Sequence, residues 1–109
     1  MDTNSYEGPE RRSYARIVYR PNVRPRLNVG ANGFEVLDIN EGGIRFQNLD
    51  QVPLYERVTG SLTLLDGDVV DIDGKVEWQE GGEVGVSFEF LIPSAIIEKE
   101  QRHIILNEE

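Results

Sequence analysis

At 109 residues the chain has the length of one domain with one core, and its 39% hydrophobic and 28% charged content is that of an ordinary folded protein. It has no cysteine, which excludes disulfides, thiolate metal sites and cysteine nucleophiles. The net charge of −9 is unevenly spread: residues 1–26 carry six Arg against Asp2, Glu7 and Glu10, a balance of +3, whereas residues 27–109 carry five basic groups against 17 acidic ones, a balance of −12. An acidic body repels DNA or RNA, while a local basic segment still holds one small anion.

The chain opens on residues 1–10, which are polar and acidic, are broken by Gly8-Pro9, and read as a flexible arm. They lack the charged-then-apolar pattern of a secretory signal. No apolar run reaches about 18 residues, so no transmembrane helix is expected, and a cytoplasmic location is the simplest expectation. Residues 11–109 then read as one domain. After the basic stretch 11–16, residues 17–29 are extended, with Pro21 and Pro25 opposing a helix and favouring an edge or bent strand. Gly30–Gly33 is a turn, Phe34–Ile39 a strand, Asn40–Gly43 a second turn, and Ile44–Gln47 a strand with half-buried alternation.

Residues 49–56, with Pro53 inside, read as a loop. Val58–Leu65 is a strand, Asp66-Gly67 a two-residue hairpin turn, and Val69–Trp78 its partner. In that partner Asp71, Asp73, Lys75 and Glu77 alternate against Val70, Ile72, Val76 and Trp78, and Gly74 marks a bulge. A turn at Glu80–Glu83 leads into Val84–Phe90, with Val84, Val86, Phe88 and Phe90 expected on one face. Pro93-Ser94 then caps a helix over about residues 94–107, whose apolar positions are Ile96, Ile97, Ile104, Ile105 and Leu106. Six or seven short strands followed by one helix predict an all-β fold, a small antiparallel barrel that closes its own edges.

Two segments carry the chemistry. Arg11, Arg12 and Arg16 stand at the boundary between the arm and the folded body, and guanidinium groups grip phosphates bidentately and stack on flat bases. Asp38, Asn40 and Gly43 lie in the turn Asp-Ile-Asn-Glu-Gly-Gly. There Asp38 offers an acceptor for a guanine N–H, Asn40 a donor and an acceptor, and Gly43 room for close backbone approach. Together they describe a site for a compact, doubly charged guanine nucleotide. Each segment also has a plain reading, as a solvated basic stretch and as an ordinary hairpin turn. The remaining polar residues read as structure: His103 stands alone, Asp66, Asp68, Asp71 and Asp73 lack an EF-hand's spacing, and Glu98, Glu100, Glu108 and Glu109 read as surface charges. Trp78 reads as core or rim packing, with a ligand border as the second reading. No nucleophile elbow, phosphate loop or dinucleotide fingerprint is present.

Arg12-x-x-x-Arg16, a short strand, then Asp38-x-Asn40-x-x-Gly43 in an all-β chain ending in a helix resembles the PilZ family. Glu10-Arg11, Gly74–Trp78 and Gly85–Phe88 are further echoes, and the likeness spans residues 10 to 107. The resemblance implies a six-stranded β-barrel that binds the bacterial second messenger cyclic di-GMP, with no catalysis and no cofactor. Arg11, Arg12 and Arg16 would take the phosphates and stack on guanine, Asp38 and Asn40 would bond a guanine edge, and the arm would order around the ligand. Output would pass to a downstream protein partner. The family most often has Ser where this chain has Asn40. The alternative is a PilZ-like interaction domain that binds a partner protein without nucleotide.

Overall fold

A computed structural model describes residues 16–107. Among the described residues seven strands and one helix follow in chain order: β1 (Ile17–Val18), β2 (Arg26–Val29), β3 (Asn32–Asn40), β4 (Gly43–Gln47), β5 (Arg57–Thr63), β6 (Val69–Glu80), β7 (Glu83–Phe88) and α1 (Ser94–Leu106). Every pairing is antiparallel. The sheet runs β3-β2-β5-β6-β7-β4 and closes through a β3–β4 pairing, giving a six-stranded barrel, while the short β1 is an extra strand on β3. Closure leaves the barrel strands without an open edge, which in so small a domain removes a template for aggregation.

Period-2 alternation, shifted by one residue between Val36 and Ile39, puts Leu27, Phe34, Val36, Ile39, Ile44, Phe46, Val58, Leu62, Ile72, Val84 and Val86 into one interior cluster. Phe34 and Phe46 meet there with ring centroids 5.0 Å apart and planes tilted by 42°. The β6–β7 hairpin turns on Gly81 (φ 62°) and Gly82 (φ 79°), the two positive angles that a tight two-residue turn demands.

Five expectations are corrected. The hairpin at Asp66-Gly67 has a three-residue loop, Leu65–Gly67, bracketed by Leu64 N–H donating to the Asp68 carbonyl at 2.8 Å, with Gly67 at φ 99°. Gly74 is paired in register with Val58 and Phe88, and the β6 bulge falls at Glu77. Glycine is required at 74 for another reason, since a Cβ there would stand 2.5 Å from the Ser87 carbonyl oxygen. Phe90 lies beyond the end of β7 and is 75% exposed. The helix N-cap is Pro93, without a side-chain cap bond.

The fifth correction concerns Glu100, which is fully buried rather than a surface charge. Its carboxylate accepts the Tyr19 hydroxyl at 2.8 Å and the N–H groups of Leu65 and Asp66 at 3.0 Å each. A carboxylate taken out of water needs such partners, and here they tie α1 both to the β5–β6 turn and to the segment after β1. Ile97 enters the core one turn earlier, while Ile105 and Leu106 face outward.

Candidate functional site

The site is built on the outer face of the barrel by one row of residues across four strands. Asp38 on β3 stands opposite Arg45 on β4, Arg45 opposite Gly85 on β7, and Gly85 opposite Trp78 on β6. The neighbouring row, Ile39–Ile44–Val86–Val76, points the other way, into the barrel. Two bulges frame the row. Leu37 is an extra residue in β3 just before Asp38, and Glu77 an extra residue in β6 just before Trp78. A bulge re-aims the side chains beside it, and these two turn a carboxylate and an indole toward the same surface.

Glycine makes the floor. A Cβ at Gly85 would collide with the Trp78 indole nitrogen, so the absent side chain lets the ring lie against β7. A Cβ at Gly43 would stand 2.8 Å from the Val86 carbonyl oxygen, so glycine is needed there by the β4–β7 pairing itself. The result is an open cleft of about 360 Å³ lined by Arg16, Asp38, Asn40, Gly43, Arg45, Glu77, Trp78 and Ser87 among others.

The charges are paired within it. Arg45 Nε donates to Asp38 Oδ2 at 2.7 Å, and Arg45 Nη1 to Glu83 Oε1 at 2.7 Å. The Asp38 hydrogen bond raises the Arg45 guanidinium pKa against the opposing effect of desolvation, with Glu83 assisting. Arg16 Nη1 lies 3.6 Å from the same Asp38 oxygen, with its side chain 60% exposed. An ion pair that open to water contributes little, so the Arg16 guanidinium is held loosely at the mouth of the cleft. Asn40 Oδ1 accepts the Gly42 N–H at 2.7 Å, which closes the β3–β4 turn. The turn is further tethered from behind, because Phe88 N–H donates to the Gly42 carbonyl and Ile92 N–H to the Glu41 carbonyl, both at 2.9 Å. Trp78 sits at the rim, 43% exposed.

Of the residues singled out from sequence, Arg16, Asp38, Asn40 and Gly43 are brought together around this cleft. Arg11 and Arg12 lie outside the described residues, as does the arm, residues 1–10. Arg45, Glu83 and Gly85 belong to the arrangement but were not singled out as site residues. Their only signal is position: Arg45 follows the turn by two residues, and Gly85 opens the Gly-Val-Ser-Phe segment. Among the described residues no group of three metal-ligating side chains exists, and no helix is long and apolar enough to cross a membrane.

The outside of the closed barrel thus carries a cleft that pairs an exposed guanidinium, a shielded carboxylate and an aromatic rim. The sequence matches the PilZ domain over residues 10–105, and the chain belongs to that family, whose members are cyclic di-GMP-binding and adaptor domains rather than enzymes. The crystal structure of the Legionella uncharacterized protein Lpg0364 is similar in fold, with a TM-score of 0.68 over 86% of this chain and 100% of that one, at 13% identity. No curated protein matches the chain.

Proposed function

We propose that this protein is a receptor for cyclic di-GMP that signals through a protein partner. One observation carries the reading: Arg16 and the Asp38–Gly43 turn, more than twenty residues apart in sequence, border a single cleft with Trp78 at its rim. The exposed Arg16 guanidinium gives the ligand's phosphates a charge-assisted partner, and Arg11 and Arg12, close before it in the chain, extend that charge. Asp38 accepts from the N–H edge of guanine. Asn40, its Oδ1 committed to the turn, contributes its Nδ2 donor. The Trp78 face offers a stacking platform of the kind flat bases use, and the glycine floor lets a base approach the strands.

A bridge between a +3 N-terminal stretch and an acidic body alters surface charge when a dianionic ligand fills it. A partner that distinguishes the two surfaces converts ligand concentration into association. Isothermal titration with cyclic di-GMP, with GTP and GMP as controls, tests the reading. The expected result is micromolar or tighter binding that Arg12→Ala/Arg16→Ala weakens by at least about tenfold, the loss of roughly one charge-assisted contact or more. No heat from a protein shown to be folded by circular dichroism overturns it.

A further inference from the structure

The Asp38 side chain is only 8% exposed, and a carboxylate so enclosed faces where its partners hold it. Its closest partner is Arg45, directly across the β3–β4 ladder, and Arg45 is in turn held by Glu83 at the start of β7. Both of these bonds are 2.7 Å long, and they use different nitrogens of one planar guanidinium. Such a group transmits orientation, because its donors are fixed in a rigid fork. Glu83 itself does not line the cleft. Arg45 lines the cleft as well, but its Nε and Nη1 are both engaged by carboxylates, which makes it a bracket between Glu83 and Asp38.

We infer that Arg45 and Glu83 are positioning residues: the Glu83–Arg45–Asp38 relay fixes the plane of the Asp38 carboxylate and thereby sets the cleft's preference for guanine over adenine. This inference rests on the receptor reading above. Guanine presents two N–H donors side by side, on N1 and on its 2-amino group. Adenine presents an acceptor at N1 and has no amino group at position 2. A carboxylate held in one plane discriminates between those edges, since an acceptor facing an acceptor is left unpaired. A carboxylate free to rotate discriminates less.

The test compares cyclic di-GMP with cyclic di-AMP for wild type, Glu83→Gln, Arg45→Lys and Arg45→Met. Glu83→Gln is the informative variant, because it touches no ligand and acts only through Arg45. It is expected to weaken cyclic di-GMP binding several-fold and to lower the ratio of the two affinities. Arg45→Met is expected to lower the ratio at least about tenfold, and Arg45→Lys, which keeps one donor on Asp38 but lacks the fork, to recover part of it. A ratio unchanged in Glu83→Gln and Arg45→Met, including the case where both affinities fall together, overturns the inference. The relay is also read without ligand, from the Arg45 Nε–Hε resonance, which should be slow to exchange and should lose that protection in Asp38→Asn. An unprotected resonance in the wild-type protein overturns the inference whatever the titrations give. Wild type that binds neither nucleotide, with the resonance protected, overturns the receptor reading and the guanine preference while leaving the bracket standing.

Discussion

Two carboxylates, Asp38 and Glu100, show how context decides what an acidic residue does. Asp38 lies between Leu37 and Ile39 and Glu100 between Lys99 and Gln101, yet both are nearly removed from water. Asp38 is neutralised by guanidinium groups at a surface cleft. Glu100 is satisfied by a hydroxyl and two backbone N–H groups inside the fold. Tyr19, its hydroxyl partner, is just three residues from Arg16, so this internal bond also anchors the base of the arginine segment. Burial first, and then the Glu100 hydrogen bond, raise the Tyr19 phenol above its ordinary value of 10.0. The sign follows from linkage. The fold favours the neutral phenol, so this contribution is complete below about pH 10 and is lost as the pH rises further, because the unfolded chain then releases a proton that the folded one keeps. Thermal melts between about pH 8 and pH 11 should therefore show a steep alkaline decline for wild type. Tyr19→Phe should be about 1 kcal/mol less stable at neutral pH and decline less steeply above pH 10. Parallel slopes for the two proteins would show that Tyr19 is not responsible.

At the scale of elements, strand and turn chemistry are written in the sequence wherever a period of two runs unbroken. Ile44–Gln47, Val84–Val86 and the Glu80–Glu83 turn are legible because alternation and paired glycines have one reading each. The bulges at Leu37 and Glu77 are not legible. An inserted residue looks like any other until its partner strand is known, and Gly74 is the more conspicuous candidate on β6. The consequence falls on Trp78. Simple alternation groups it with Val76 and Ile72, whereas the bulge moves it onto the outer face. Arg45 and Glu83 escape notice for a related reason, since their roles exist only across the ladder. Glu100 escapes because a polar residue on a helix reads as solvent-facing until its hydrogen-bond partners, far apart in the chain, are brought to it. The Trp78–Gly85 contact is open to direct test, because Trp78 is the single tryptophan. Gly85→Ala should lift the indole off β7 and shift its fluorescence to longer wavelength in a protein that stays folded. Unchanged emission would mean that the ring does not rest on Gly85 in solution.

Across the whole molecule, the barrel is a rigid frame that brings distant short segments to one place. β1 brings Arg16 beside Asp38, the closed ladder lines up Asp38, Arg45, Gly85 and Trp78, and the segment after β7 tethers the turn between β3 and β4. In the sequence it is the resemblance to the PilZ family that implies that an arginine segment and an Asp-x-Asn-x-x-Gly turn belong together. The fold supplies the reason, because β1 pairs with the very end of β3 that carries the turn. Whether cyclic di-GMP binds in this cleft, as proposed above, is tested by a titration followed by backbone and indole ¹H–¹⁵N correlation spectra. Binding in the cleft should concentrate the shifts at Asp38, Asn40, Gly42, Gly43, Arg45, Gly85 and the Trp78 indole. The groove between the β1 segment and the end of α1, at Val18, Val23 and Ile104, should be unmoved. Shifts centred on that groove, or none at saturating ligand, would contradict it.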